Sequence, residues 1–182
     1  MRIFISGGCK NGKSYHAERL AVNQALRPLY YIATMRALDD DDRARIVRHQ
    51  NERAGKGFIT LQQSRSISQI LTNCDCRGSF LIDSLTALLA SEMFTAGGKV
   101  DRQAGNKIIE EIQLIIERIE NIVLVSDYIY SDTLSYDLLS EAYRKALAAI
   151  DRCVAGLCDT VLEVSYSQLT VHKGYGEWDA HN

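Results

Sequence analysis

The chain has little proline, a single tryptophan and no long apolar run. Pro28 is the one proline among 182 residues, and every apolar stretch is shorter than the roughly 18 residues that a transmembrane helix needs. Glycines follow the apolar residues 1–6 at once, which argues against a signal peptide with a cleavage site. We therefore expect a cytoplasmic protein with no membrane span.

The cysteines and the charge argue against further classes. Five cysteines, an odd number without regular spacing, do not suit a disulfide framework. Cys74 and Cys76 form a CxC pair with no histidine nearby, which does not favour a zinc site. The formal net charge is −2, so no basic excess predicts nucleic-acid binding. A small molecule is the expected partner.

Apolar runs alternate with segments of helical periodicity along the chain. Because strands that alternate with long helices indicate crossover connections, we predict an α/β fold with a mostly parallel sheet flanked by helices. The chain shows no linker and no repeat, so residues 1–182 are expected to form one domain, with a tail at 174–182 whose polar and turn-forming residues favour disorder. The predicted strands are 2–6, 29–34, 58–62, 79–82, 122–126, 160–164 and an edge strand at 169–172. The predicted helices are 14–26, 39–53, 67–71, 86–94, 104–119 and 135–158.

The segment GGCKNGKS matches the P-loop pattern G-x-x-x-x-G-K-[ST]. Its glycines allow a sharp turn that presents backbone N–H groups to phosphate oxygens. Lys13 is the expected ligand of the β- and γ-phosphates and the first catalytic candidate, and Ser14 offers a hydroxyl to Mg²⁺. A glycine-rich turn that binds nothing is the alternative, but an apolar strand before the motif and an amphipathic helix after it favour the P-loop. The predicted nucleotide-binding residues here are Gly7, Gly8, Cys9, Lys10, Asn11, Gly12, Lys13 and Ser14.

Asp83 ends the predicted strand 79–82, in the sequence SFLID. A P-loop needs an acidic partner for its metal at the end of a neighbouring strand, so Asp83 and Ser14 are the candidate Mg²⁺ ligands. Aspartate is also favoured at the N-cap of a helix, and a predicted helix follows at 86–94. Residue type alone leaves both readings open, and the upstream P-loop favours the metal.

Several segments together resemble one family. The opening GGCKNGKSYHAE, with Lys10 where an arginine is usual, is similar to that of the bifunctional adenosylcobinamide kinase/adenosylcobinamide-phosphate guanylyltransferases of cobalamin biosynthesis. YIAT at 31–34, DDDRARIVRHQNER at 40–53 and FLIDSLTALLASEMF at 80–94 also match family segments, with Asp42 in place of a glutamate. The combination is more specific than any one piece.

The resemblance implies a RecA-like fold, a homotrimer and two transferase reactions. One phosphorylates the hydroxyl of the aminopropanol arm of adenosylcobinamide, and the other transfers GMP from GTP to that phosphate through a guanylylated histidine. GTP or ATP, Mg²⁺ and a corrinoid substrate are the implied ligands. His49 aligns with the guanylylated histidine, and Tyr31 and Arg53 lie in matching segments and join the predicted nucleotide-binding residues.

The residues around His49 are compatible with that role. A neutral imidazole can attack a phosphorus atom and split one transfer into two steps. At helical spacing Arg45 and Arg53 share a face with His49 and can offset phosphate charge. The residues alone favour a solvated histidine on a charged helix, whereas the resemblance favours the nucleophile.

The chain departs from the family after residue 126. Asp127 and Tyr128 replace an Asn-Glu pair, a tyrosine-rich segment replaces a loop with glycine and proline, and Glu141 stands where an arginine is usual. Two alternative functions therefore stay open. The first is a P-loop kinase of another small alcohol. The second is a non-enzymatic nucleotide-gated module whose tyrosine-rich face contacts a partner.

Overall fold

The computed structural model describes residues 1–24, 26–37, 40, 44, 47, 51, 53–95 and 97–174. The strands in these residues form one seven-stranded sheet. Their bounds are β1 Arg2–Gly7, β2 Leu29–Ala33, β3 Phe58–Gln62, β4 Ser79–Asp83, β5 Asn121–Asp127, β6 Thr160–Ser165 and β7 Gln168–Lys173. The order across the sheet is β3-β2-β4-β5-β1-β6-β7, and each neighbouring pair is parallel except β6 and β7. The predicted mostly parallel sheet is confirmed.

Helices cover both faces of the sheet. Their bounds are α1 Lys13–Asn23, α2 Ile70–Asn73 after a 3₁₀ turn at Ile67–Gln69, α3 Leu85–Met93, α4 Ala104–Arg118 and α5 Leu138–Leu157. Helix α1 packs on one face against Ile3, Ile5 and their neighbours. Helices α2 to α5 pack on the other face, where Phe4 and Phe80 lie. None of the helices in the described part of the chain is long and apolar enough to cross a membrane.

The apolar runs form central strands because a parallel sheet is buried on both faces. Successive side chains alternate between the faces, so Ile3 and Ile5 contact the α1 side while Phe4 contacts the opposite side. In α4 the predicted stripe is confirmed, since Ile108, Ile112 and others at helical spacing are fully buried.

Several predicted helix ends are wrong by a few residues, and the caps show why. Helix α5 begins at Leu138 and not at residue 135, because the Asp137 side chain accepts hydrogen bonds from two backbone N–H groups of the first turn. Helix α1 ends at Asn23 rather than at residue 26, before the turn that contains Pro28. The predicted helix 39–53 and the predicted tail 174–182 lie mostly outside the described residues.

The strand order determines where the site lies. Strands β1, β2, β4 and β5 are parallel, so their carboxyl ends meet at one edge of the sheet. β5 lies between β1, which leads into the P-loop, and β4, which ends at Asp83. Ligands of open α/β sheets bind outside such carboxyl ends.

Candidate functional site

The predicted P-loop forms the turn between β1 and α1. Gly12 precedes α1 with φ of 94°, a left-handed conformation that glycine adopts without a side-chain clash. A β-carbon at Gly7 would lie 2.4 Å from the carbonyl oxygen of Val164 in β6, so only glycine fits there. The turn between β6 and β7 also contacts the P-loop, because Ser167 Oγ donates to the carbonyl of Asn11 and Asn11 Nδ2 donates to the carbonyl of Val164.

The Lys13 ammonium is almost completely buried within the site. Its side chain is 6% exposed, and its Nζ lies 2.6 Å from Asp127 Oδ1 and donates to the carbonyl of Gly8 at 2.6 Å. Asp127 is the last residue of β5, the strand beside β1, and its side chain is 30% exposed. Lys13, the lysine predicted to bind phosphate, therefore forms an ion pair with Asp127. The sequence singled out Asp127 only as a departure from the family pattern.

Asp83 links the P-loop to β2. Ser14 Oγ donates to Asp83 Oδ2 at 3.3 Å, and the Tyr31 hydroxyl donates to the same oxygen at 2.8 Å. Burial, and then the neighbouring Asp83 carboxylate, raise the pKa of Tyr31 far above its usual range, so the phenol stays a hydrogen-bond donor. Asp83 does not cap α3, because Ser84 is the N-cap and its Oγ accepts from the backbone N–H of Ala87.

Arg53 packs on Tyr31 at the same end of the sheet. The guanidinium carbon lies 3.4 Å from the centre of the Tyr31 ring, a cation–π contact. Arg53 is only 5% exposed, and its Nε has no hydrogen-bond partner among the described residues. A buried guanidinium is suited to a neighbouring anionic group, since a buried charge is costly to leave without an opposite charge.

These residues enclose one cavity, which we call the P-loop cavity. Its volume is about 430 Å³, within the range of small-molecule sites. Nine predicted nucleotide-binding residues line it together: Cys9, Lys10, Asn11, Gly12, Lys13, Ser14, Tyr31, Arg53 and Asp83. Gly7 and Gly8 lie in the same turn without lining the cavity, and the predicted nucleophile His49 lies outside the described residues.

The oxygen donors of the site suit an Mg²⁺ ion that is bound jointly by the protein and a nucleotide, rather than by the protein alone. Ser14 Oγ and the Asp83 carboxylate supply two hard oxygen donors side by side. No cluster of three or more His, Cys, Asp or Glu side chains able to hold a metal occurs in the residues that the structure describes. Mg²⁺ commonly takes one or two protein oxygens and completes its shell with phosphate oxygens and water.

Asp127 is the site residue that sequence reasoning missed. It also lines the P-loop cavity, and its backbone N–H donates to Thr86 Oγ1 at the start of α3. Its position after the apolar run at 122–126 gave a signal, because the strand ends beside the P-loop strand. Only the order of strands in the sheet shows that it faces Lys13.

A family model for cobinamide kinase / cobinamide phosphate guanyltransferase matches residues 3–168. The chain belongs to this family. The Salmonella typhimurium bifunctional adenosylcobalamin biosynthesis protein CobU is 27% identical over 172 residues, which cover 88% of this chain and 93% of that protein. The Pseudomonas aeruginosa protein CobP, described in the same words, is 35% identical over 92 residues, covering 50% of this chain and 52% of that protein.

Solved structures resemble the chain in fold. The RadB recombinase has a TM-score of 0.52 at 13% identity, and the match covers 96% of this chain and 81% of RadB. A Pyrococcus horikoshii OT3 protein designated PH0250 has a TM-score of 0.56 at 10% identity, covering 97% and 87% of the two chains. The predicted RecA-like P-loop NTPase fold is confirmed for this member of the cobinamide kinase family.

The family match covers the whole P-loop cavity. Residues 3–168 contain the P-loop, Asp83 and the segment after residue 126. That segment contributes Asp127 to the P-loop cavity. The segment expected to depart from the family pattern therefore reaches the site itself.

Proposed function

We propose that the protein is a transferase of adenosylcobalamin biosynthesis with two activities. One phosphorylates adenosylcobinamide, and the other transfers GMP from GTP to adenosylcobinamide phosphate. The family match over residues 3–168 supports the pathway. The observation that carries the nucleotide chemistry is the buried Lys13 ammonium at the mouth of a P-loop, beside the Ser14 and Asp83 oxygens.

The P-loop cavity would bind the triphosphate. The backbone N–H groups of the turn and the N-terminus of α1 attract phosphate oxygens. Lys13 would exchange its contact with Asp127 for the β- and γ-phosphates, and Arg53, which lines the cavity, would place its positive charge beside an anionic group. Ser14 and Asp83 would hold Mg²⁺, which when bound supplies charge that offsets the phosphate oxygens.

The GMP transfer would proceed in two displacements at His49. The unprotonated imidazole nitrogen attacks the α-phosphorus of GTP, a P–N bond forms, and the bond to the bridging oxygen breaks as pyrophosphate leaves. A phosphate oxygen of adenosylcobinamide phosphate then attacks the same phosphorus, breaks the P–N bond and frees the imidazole. In the kinase reaction, the P-loop would present the γ-phosphate to the substrate hydroxyl.

Intact-mass spectrometry after incubation with GTP tests the transfer mechanism. We expect a mass gain of one GMP in the wild type, its loss in His49→Ala, and its retention in the control His181→Ala, which alters a histidine of the C-terminal tail. Addition of adenosylcobinamide phosphate should discharge the adduct and yield the GDP-linked product. A wild type that shows no adduct while binding GTP would refute the guanylyltransferase.

A second candidate is a P-loop kinase of another small alcohol, with His49 idle. The contacts of Arg144 favour it. This arginine stands where the family also has one, but its guanidinium is paired with residues of this chain and is therefore not free to bind an anionic corrinoid substrate. It pairs with Glu141 at 2.5 Å and Asp132 at 3.1 Å, and it lies over the Tyr136 ring at 4.5 Å. Transfer of labelled γ-phosphate to a non-corrinoid alcohol, with none to adenosylcobinamide, would select this candidate.

The non-enzymatic nucleotide-gated module makes a different prediction. It requires tight nucleotide binding with no phosphate transfer to any alcohol and no protein adduct. The single domain over residues 1–182 and the homotrimer stay predictions. Sedimentation velocity, with and without GTP, would measure the number of subunits.

A further inference from the structure

A second cavity lies on the other side of the β5 carboxyl end. Its volume is about 490 Å³, and it shares no lining residue with the P-loop cavity. Two consecutive residues line different cavities, since Asp127 lines the P-loop cavity and Tyr128 lines the second cavity. This second cavity is formed by β1, the segment after β5, α5, β6 and β7.

A buried carboxylate forms one wall of the second cavity. Asp151 in α5 is 3% exposed, and its Oδ2 accepts hydrogen bonds from Ser126 Oγ at 3.0 Å and the Tyr130 hydroxyl at 2.8 Å. Its Oδ1 has no hydrogen-bond partner, and no ion pair reaches the carboxylate from any described residue. Burial raises the pKa of Asp151 to about 6, so the group is mostly ionised at neutral pH without a counter-ion.

A second carboxylate also lines this cavity. Glu163 in β6 contacts His172 Nε2 at 2.7 Å. Its side chain is 33% exposed, and His172 is 52% exposed at the rim. Arg152 also lines the cavity, but it is an exposed residue, so its charge is screened by water.

Apolar and aromatic surface completes the cavity. Phe4, Val161 and Leu162 contribute apolar groups, while Tyr128 and Tyr130 contribute aromatic rings. Such surface does not suit a bare metal ion, and no three-ligand cluster is present in the part of the chain that the structure describes. Aromatic rings beside carboxylates are the surroundings that bind ammonium groups.

We propose that the second cavity binds a small organic cation, an ammonium group carried on an apolar body. Asp151 would be its buried counter-ion, Glu163 a second acceptor, and the rings of Tyr128 and Tyr130 its walls. The positive charge of the cation would offset the charge of Asp151, which lacks a counter-ion among the described residues. The proposal is independent of the function proposed for the P-loop cavity.

Isothermal titration with matched probes tests this proposal. The probes are 2-phenylethylammonium and 2-phenylethanol, which have the same aromatic body and differ in charge. We expect the wild type to bind the cation at least tenfold more tightly than the alcohol. Asp151→Asn should weaken cation binding at least tenfold, while Glu110→Gln, which changes an exposed carboxylate of α4, should leave it unchanged.

Equal affinity for the two probes, no binding of the cation at millimolar concentration, or wild-type affinity in Asp151→Asn would each overturn the proposal. Circular dichroism establishes whether each variant is folded. If Asp151→Asn does not fold, Glu163→Gln decides the question at the more exposed wall, where several-fold weaker cation binding is expected and unchanged binding would refute the site.

Discussion

Replacement of Asp151 by asparagine should remove a pH-dependent cost to stability. The carboxyl group of this α5 residue is buried, and its Oδ2 accepts hydrogen bonds from Ser126 and Tyr130. Asparagine has nearly the same shape and keeps an oxygen for those two donors. The substitution therefore removes the charge while preserving most of the packing.

The magnitude follows from the pKa of Asp151. Burial, the largest influence, raises this pKa from the ordinary 3.8 to about 6. Because the folded state then binds the proton more tightly than the unfolded chain, the folded state is favoured at low pH and loses stability as pH rises from about 4 to about 6. A shift of about two units corresponds to about 3 kcal/mol of unfolding free energy, absent below pH 3.8 and complete above about pH 6.

Urea unfolding at pH 4, 5, 6 and 7.5, followed by far-ultraviolet circular dichroism, measures this cost. The difference in unfolding free energy between Asp151→Asn and the wild type should grow by about 2–3 kcal/mol in favour of the variant between pH 4 and pH 7.5. Other groups titrate equally in both proteins, so they cancel in the difference. Parallel pH profiles for the two proteins would refute the burial of an ionised, unpaired carboxylate.

Three further outcomes are expected at the P-loop cavity. Lys13→Ala should weaken GTP binding about 10- to 100-fold in a titration, because it removes a charged donor to phosphate, while the exposed control Lys99→Ala should bind normally. Asp127→Asn should strengthen GTP binding about 5- to 30-fold by freeing Lys13 from a partly buried ion pair, and weaker binding would contradict the competition. Tyr31→Phe should lower the unfolding free energy by about 1 kcal/mol through loss of the hydroxyl that donates to Asp83, and thermal unfolding would reveal it.

The strands and the phosphate-binding turn could be predicted from local sequence. Apolar runs predicted the central strands because both faces of a parallel sheet are buried, and the glycine spacing predicted the turn at 7–14 because backbone geometry demands it. Helix ends were less well predicted. Two residues with similar propensity, Ser135 and Asp137, compete for the start of α5, and only the hydrogen bonds of Asp137 decide it.

Contacts between distant segments were beyond local sequence. The ion pair of Lys13 with Asp127 depends on β5 being inserted next to β1, which no local pattern encodes. The stack of Arg53 on Tyr31 and the burial of Asp151 depend on the same strand order. In the sequence Asp151 looks like an ordinary polar residue of a helix, and only the folded chain brings Ser126 and Tyr130 to its carboxylate.

The turn between β6 and β7 has a consequence for biosynthesis. It joins the first loop of the chain to the last described hairpin, through Ser167, Asn11 and the carbonyl of Val164. The residues that supply these partners are synthesised some 150 positions after the P-loop. During synthesis the P-loop turn therefore lacks these hydrogen bonds until residues 164–167 have been added to the chain.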